Sequence, residues 1–307
     1  MSATLDVQPA AVANGANPWP FALSIVIPAF NEGHKIGEIV GRIRRDYPYA
    51  ELIVVDDHSS DDTADQAERA GAAVIRRPYN IGNGAGVKTG VRAASGEVVV
   101  IIDGDGQHDP ADIGRLLALI GPYDMVIGAR SRSGQQNWIR WLGNAAINRL
   151  GSYLTGMEMK DLTSGFRAFR RPILMHYLHL LPNQYSWPTT SALAFAKGGY
   201  HVRFEPIEMR RRQGGQSHQK LFKNGFKFAT IIFRIVSLFN PLRVFAPVSG
   251  LFLLLSLVSY LLSVANNGGV FHMPPTAMLA FISALFFFMF GLLAEMIAAL
   301  RLERYRD

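Results

Sequence analysis

Val98-Val99-Val100-Ile101-Ile102-Asp103-Gly104-Asp105-Gly106-Gln107 is an unbroken apolar run that stops at two carboxylates separated by one glycine. Apolar residues without alternation suit a strand covered on both faces, as in a parallel sheet. The texture recurs at Leu23-Ser24-Ile25-Val26-Ile27, at Leu52 to Val55 and at Met125 to Ile127, and polar residues follow each run: Asn31-Glu32, Asp56-Asp57 and Arg130. Between the runs, Lys35 to Arg45 and Asp61 to Ala70 have helical length, with Ser59, Ser60 and Asp61 as candidate N-caps. Strand, loop and helix repeated in this way predict an α/β fold with a Rossmann-like, mostly parallel sheet. Its ligand-bearing loops would lie at the carboxyl ends of the strands.

The whole chain has 307 residues, 49 % of them apolar and 18 % charged, which excludes disordered and collagen-like classes. It contains no cysteine, so disulfide frameworks, thiolate metal sites and cysteine nucleophiles are excluded together, and any metal must use oxygen or imidazole ligands. Residues 1–20 carry one charged side chain, Asp6, and lack the basic and apolar regions of a secretory signal, so they are expected to form a disordered tail.

The apolar residues concentrate near the C-terminus. Leu242 to Ala265 contains one charge, Arg243, and Ala277 to Leu300 contains one, Glu295. Each stretch reaches the ~20 residues needed to span a bilayer, so two transmembrane helices are predicted, over 242–265 and 277–300. Asn266 to Pro275 has no Lys or Arg, whereas Arg234 and Arg243 flank the first span and Arg301, Arg304 and Arg306 follow the second. The positive-inside rule then places both ends, and the large N-terminal domain, in the cytoplasm of a multi-pass membrane protein. Glu295 is expected near the cytoplasmic end, paired with an arginine. Lys220, Lys223, Lys227 and Arg234 are spaced by three, four and seven residues, which predicts an amphipathic helix over 216–241 lying on anionic headgroups. This accounts for much of the net charge of +7 without nucleic acid, for which no motif is present. The expected organisation is therefore an α/β domain over 21–215, the juxtamembrane helix, and a hairpin over 242–307.

Two carboxylates one residue apart at a strand end can converge on one hard cation, and oxygen ligands suit Mg²⁺ or Mn²⁺. A calcium loop of the EF-hand type is excluded because its twelfth position, counted from Asp103, is Gly114. Gly82-Asn83-Gly84-Ala85-Gly86-Val87-Lys88-Thr89 misses the P-loop because Val87 precedes the lysine, and misses the dinucleotide fingerprint because Thr89 stands at its last glycine. It reads as a glycine-rich loop entering a helix over about 85–94, either packed tightly or touching a nucleotide. Asp56-Asp57 can accept bonds from a base or a ribose. Arg130, Arg140, Arg167 and the run Arg210-Arg211-Arg212 offer forked donors suited to phosphate. His176 and His179 lack the HExxH pattern of a metalloprotease.

Pro28-Ala29-Phe30-Asn31-Glu32, Asp56-Asp57, Asp103-Gly104-Asp105-Gly106-Gln107, Asp161-Leu162-Thr163-Ser164-Gly165-Phe166-Arg167 and Arg212-Gln213-Gly214-Gly215-Gln216-Ser217 occur in that order. Together they resemble the family 2 glycosyltransferases of the dolichol- or polyprenyl-phosphate mannosyltransferase and glucosyltransferase type, over about residues 23 to 220. The resemblance implies a GT-A fold and inverting transfer of a hexosyl group from a nucleotide sugar, GDP-mannose first and UDP-glucose or UDP-N-acetylhexosamine next, to a membrane polyprenyl phosphate. It implies that Pro28, Phe30, Asn31, Glu32, Asp56, Asp57, Asp103 and Gly104 bind the nucleotide sugar, and that Asp103, Asp105 and Gln107 hold Mg²⁺ or Mn²⁺. Asp105, Arg130 and Arg212 would be catalytic, and Arg130, Ser164, Arg212 and the residue after Ser217 would face the acceptor phosphate. That last residue is His218 where the family often has lysine, and Asn144-Ala145 replaces a common Ser-Arg pair, which brings in Arg140 and Lys220 as substitutes. Assembly as a homo-oligomer is left open.

Two rival classes remain at this stage. A processive polysaccharide synthase usually carries QxxRW, and Gln184-Tyr185-Ser186-Trp187 lacks both the arginine and the spacing. A non-catalytic membrane sensor or scaffold for sugar nucleotides would tolerate loss of the carboxylate pair, yet Asp103, Asp105 and Gln107 are all present.

Overall fold

A computed structural model describes residues 16–130, 138–184, 186–208, 241–266 and 273–303. The chain divides into two compact units, Met1–Gln219 and Lys220–Asp307. The expected juxtamembrane helix, with Arg212, His218, Lys220, Lys223, Lys227 and Arg234, lies outside the described residues, as does the side chain of Arg140.

The first unit is built on a seven-stranded sheet. Strands β1 (Leu23–Ala29), β2 (Glu51–Asp56), β4 (Val98–Ile101) and β5 (Met125–Arg130) realise the four apolar runs. Three more strands were not read from the sequence: β3 (Ala73–Arg76), β6 (Arg167–Arg170) and β7 (Val202–Ile207). The order is β3-β2-β1-β4-β6-β5-β7, parallel throughout except that β6 runs antiparallel between β4 and β5. Strand β1 has β2 on one side and β4 on the other, so the chain reverses its direction of travel across the sheet here. In an open α/β sheet, such a switch point leaves a crevice at the carboxyl ends of the strands.

Helix α1 (Gly33–Asp46) buries Ile36, Ile39, Val40 and Ile43, spaced as one helical face, against the sheet. Helix α2 (Thr63–Arg69) begins two residues later than its expected cap. The Asp61 carboxylate accepts the Thr63 N–H (3.0 Å) and also the Gly33 N–H (3.0 Å), so one side chain serves the starts of two helices. Helix α3 (Asn83–Ala93) begins within the glycine-rich loop, and α4 (Ile113–Leu117), α5 (Trp138–Thr155), α6 (Arg171–Tyr177) and α7 (Trp187–Lys197) are the other α-helices of this unit among the described residues. Within the stretch expected to be a tail, Trp19 packs against the core and donates its indole N–H to the Tyr49 hydroxyl (3.2 Å).

Antiparallel β6 sets up the site. In register, Arg167 pairs with Ile101 on β4 and with Ile127 on β5. Because β6 runs the other way, its first residue lies at the carboxyl ends of its neighbours. The segment 161–166 that leads into it is thereby delivered beside Asp103 and Arg130.

The second unit contains α8 (Leu242–Asn266) and α9 (Pro275–Glu303), each long and apolar enough to cross a membrane. Only 11 % and 17 % of their most apolar windows are buried, unlike the core helices of a soluble protein. Leu253, Leu254, Phe286 and Phe290 are among the exposed side chains. The helices pack antiparallel. The Ser249 hydroxyl donates to the Ala284 carbonyl (2.8 Å), and the Ser256 hydroxyl to the Ala277 carbonyl (2.8 Å). Glu295 accepts the Leu242 N–H (3.2 Å), capping the first turn of α8.

Candidate active site

The crevice at the switch point gathers the ends of β1, β2, β4, β5 and β6. After β1 the backbone turns at Asn31, whose φ of 56° is uncommon for a side-chain-bearing residue. The turn is pinned on both sides: Asn31 N–H donates to the Ser59 hydroxyl (2.9 Å), and the Asn31 side-chain oxygen accepts the Ser60 N–H (2.8 Å). Glu32 donates its N–H to the Thr63 hydroxyl (2.8 Å), and its carbonyl opens α1. Pro28 is buried, while Phe30, Asn31 and Glu32 are partly exposed at the crevice.

Asp56 and Asp57 are both buried, 5 % and 3 % exposed, and both serve the protein framework. Asp56 accepts from the N–H (3.2 Å) and hydroxyl of Ser59. Asp57 accepts the N–H groups of Ile81 (3.2 Å) and Gly82 (2.7 Å) and pairs with Arg77 (2.9 Å), tying the glycine-rich loop to the end of β2. The loop is thereby closely packed at its Asp57 anchor.

At the end of β4, the Asp105 carboxylate accepts the Gln107 N–H (3.1 Å), which closes the turn. Loss of water around Asp103 and the nearby negative charge of Asp105 push the Asp103 carboxyl up to about 7. The charge of Asp105 thus disfavours that of Asp103, and a cation beside them would remove that cost. The approach is open on one side because residue 165 is glycine: a Cβ there would stand 2.6 Å from Asp103 Oδ2. The donor set of two carboxylates with the Gln107 amide fits a hard divalent ion with all-oxygen coordination. Among the described residues, no group of three or more His, Cys, Asp or Glu side chains could hold a metal ion, so other positions would fall to ligand oxygens and water.

Arg130 ends β5 and is held by Asp161 in a forked pair, Nε to Oδ2 and Nη2 to Oδ1, both at 2.7 Å. Its backbone N–H also reaches Asp161 (3.1 Å), and Nη2 bonds the Thr163 hydroxyl. Burial alone would raise the Asp161 carboxyl, but the bonds and charge of Arg130 hold it below the usual carboxylate range. With Nε and both Nη2 hydrogens spent on Asp161 and Thr163, Nη1 is the guanidinium nitrogen of Arg130 with no partner among the described residues. Ser164, the next residue but two after Asp161, is buried with its hydroxyl unpartnered among the described residues.

Arg167, expected among the phosphate donors, does other work. It is wholly buried and spends its guanidinium on the Ser164 (2.7 Å), Pro188 (2.5 Å) and Leu162 (2.9 Å) carbonyls and the Ser191 hydroxyl (3.1 Å). It is the internal brace of the 161–166 segment. Sequence reasoning also passed over His108, whose ring packs on Phe166 (centroids 5.1 Å apart) and whose pKa burial pushes down to about 4. Its position directly after Gln107 was the available signal.

Residues 24–178 match the model of glycosyl transferase family 2, just over half of the chain. The chain belongs to that family. Residues 240–300 of this family 2 transferase match the GtrB C-terminal hairpin, the stretch that forms α8 and α9. The chain is 30 % identical over 241 residues to glycosyltransferase AglJ of Haloferax volcanii, covering 75 % of this chain and 77 % of that one. It is 32 % identical over 167 residues to the undecaprenyl-phosphate 4-deoxy-4-formamido-L-arabinose transferase of Proteus mirabilis, half of each chain. Among solved structures, glucosyl-3-phosphoglycerate synthase from Mycobacterium tuberculosis, in complex with Mn²⁺, UDP and glucosyl-3-phosphoglycerate, superposes with a TM-score of 0.57. That match has 23 % identity and covers 71 % of this chain and 80 % of that one, which establishes the shared GT-A fold.

Proposed function

We propose that this family 2 transferase moves a hexosyl group from a nucleotide sugar to a membrane polyprenyl phosphate, with inversion at the anomeric carbon. The observation that carries the reading is that one chain joins a family 2 catalytic sheet to a GtrB-type apolar hairpin. A relative named for transfer to undecaprenyl phosphate supports the acceptor class. GDP-mannose is the proposed donor, ahead of UDP-glucose and UDP-N-acetylhexosamine. The hairpin is proposed to cross the membrane twice with both ends cytoplasmic.

Pro28, Phe30, Asn31 and Glu32 would line the nucleotide pocket, with Asp56 and Asp57 fixing its walls and Asp103 and Gly104 joining them at the end of β4. Asp103, Asp105 and Gln107 would hold Mg²⁺ or Mn²⁺, which when bound supplies positive charge to the departing nucleoside diphosphate. Arg130, held rigid by Asp161 and Thr163, would present its Nη1 donors to phosphate oxygens, so its orientation requires no rearrangement during transfer. A phosphate acceptor is already ionised near neutral pH and attacks without a strong general base, so these residues act by alignment and charge. Ser164, Arg140, Arg212, His218 and Lys220 are proposed on the acceptor side.

The test is purified full-length protein in detergent with polyprenyl phosphate, Mg²⁺ or Mn²⁺, and each labelled donor, followed by extraction into organic solvent. Label entering the organic phase from GDP-mannose is expected. Label entering only from a UDP-sugar reassigns the donor, and transfer from none overturns the reading.

A further inference from the structure

Four Lys and Arg side chains lie along α1, and the fold uses three of them. Arg42 pairs with Asp109 (2.5 Å), Arg44 donates to the Gly71 (2.8 Å) and Ala50 (3.0 Å) carbonyls, and Arg45 pairs with Asp46 (3.2 Å). Lys35 is the exception: its ammonium has no hydrogen-bond or ion-pair partner among the described residues. It stands in the first turn of the helix, which carries no acidic side chain, and a cation at that end opposes the helix dipole. Neither its own helix nor a carboxylate partner accounts for the charge at this position.

A lysine kept for solubility would extend into water, whereas Lys35 is half-buried because its stem lies on the turn that carries the carboxylates. Gly106 has a φ of 71°, and a Cβ there would stand 3.2 Å from Lys35 Cδ, 3.6 Å from Nζ and 3.8 Å from Ile39 Cδ1. A Cβ at Gly104 would stand 3.4 Å from Ile36 Cδ1. Two consecutive residues of α1 thus rest on the two glycines of the turn, and glycine at 106 serves both the left-handed backbone and the close approach of the stem. The start of α1 is itself pinned, through the Glu32 and Gly33 N–H groups, by Thr63 and Asp61. The ammonium is thereby held beside Gly106, between Asp105 and Gln107 in the chain. Lys35, Asp105, Gly106 and Gln107 are all partly exposed, so the turn and the ammonium are open to the same ligand.

Two carboxylates and a diphosphate together carry more negative charge than one divalent ion cancels, and a departing nucleoside diphosphate carries more still. A lysine ammonium, a compact point charge with three donors, suits phosphate oxygens. We propose that Lys35 binds the diphosphate of the sugar donor: its ammonium donates to a phosphate oxygen at the Asp105–Gln107 turn and supports the charge that grows there during transfer. The proposal rests on the reading that this crevice binds a nucleotide sugar with its diphosphate on an ion held by Asp103 and Asp105.

The experiment uses the full chain in detergent with saturating Mn²⁺, and calorimetry of GDP, UDP, GMP and UMP binding. Lys35→Met keeps an apolar stem and removes the charge. It is expected to weaken the diphosphate that the wild type binds by about tenfold, the low end for a charge-assisted hydrogen bond because the position is partly exposed. The corresponding monophosphate should be weakened less. Lys35→Arg restores the charge and should recover most of the loss. Binding of Mn²⁺ alone, followed by electron paramagnetic resonance, should be unchanged or tighter in Lys35→Met, since a cation beside the carboxylates has gone. Thermal unfolding establishes that each variant is folded, and should Lys35→Met not fold, Lys35→Gln carries the test. Wild-type diphosphate affinity in the folded variants, or an equal loss for monophosphate and diphosphate, overturns the proposal alone. Weaker Mn²⁺ binding by Lys35→Met also overturns it, because the lysine would then be shaping the turn. Failure of the wild type to bind Mn²⁺ or either nucleoside diphosphate overturns the donor-site reading and the proposal together, and is seen before any variant is compared.

Discussion

Replacing Asp161 by asparagine removes the charge that holds Arg130 while keeping the shape. The Asp161 side chain is 5 % exposed and accepts the forked Arg130 pair at 2.7 Å, the Arg130 N–H at 3.1 Å and the Thr163 N–H at 3.2 Å. Breaking a fully buried ion pair by removing one partner costs about 3–5 kcal/mol. The Arg130 side chain is 22 % exposed, so water recovers part of that, and about 2–3 kcal/mol is expected. In a unit of this size one kcal/mol shifts Tm by about 2–4 °C, so Asp161→Asn should lower Tm by roughly 5–10 °C. The assay is thermal unfolding by tryptophan fluorescence in detergent, run as a double-mutant cycle with Arg130→Met. The double variant should be less destabilised than the sum of the singles, because each single strands the other's charge. The pH dependence has a definite sign. The folded Asp161 pKa lies below its unfolded value, so the pair's contribution is present above about pH 4 and is lost as pH falls through the folded pKa. The gap between wild type and Asp161→Asn should close over that range. A Tm within about 1 °C of wild type, or strictly additive singles, refutes the reasoning.

Gly165→Ala should place a Cβ 2.6 Å from Asp103 Oδ2, forcing the carboxylate aside; a fall in transfer of at least about tenfold is expected, with a stability cost of about 1–3 kcal/mol, checked by kcat and Tm together. The folded Asp103 pKa is raised to about 7, so the folded state binds more protons than the unfolded state between about pH 4 and 7, and cation-free protein should lose stability as pH rises through that window. Asp103→Asn should flatten the slope, measured as Tm against pH in the presence of chelator. In the hairpin, a Cβ at Gly291 would lie 2.8 Å from the Phe245 Cβ, whereas one at Gly250 meets nothing within 4 Å. Gly291→Ala should therefore destabilise α8 against α9 by about 1–3 kcal/mol and Gly250→Ala should not, as read from thermal unfolding in micelles.

The strands legible in the sequence are those buried on both faces. Val98 to Ile102 and Leu52 to Val55 are nearly all apolar because parallel strands under helices have no wet side. Strand β6 offers no such signal: Arg167-Ala168-Phe169-Arg170 is four residues long, and its first arginine is buried only because carbonyls from 162, 164 and 188 surround it. Strand β3 is short and lies at the sheet edge, while β7 carries an alternation at Val202 and Phe204 that could have been read. The same division holds at the site. Asp103, Asp105 and Gln107 are neighbours in sequence, at the end of an apolar run, so their candidacy as a site was readable. The pairing of Arg130 with Asp161 spans 31 residues and depends on the reversal of β6, which nothing local announces.

The most direct measurement compares membranes carrying equal amounts of folded wild type and Asp105→Asn, each given labelled nucleotide sugar and polyprenyl phosphate and then extracted into organic solvent. Wild type is expected to label the lipid, and Asp105→Asn to lower the rate by about 10²–10³-fold, the range for losing one preorganised electrostatic group at a transfer site. Equal labelling by the two proteins, or labelling by neither with any donor, would contradict sugar transfer to a lipid phosphate at this carboxylate pair.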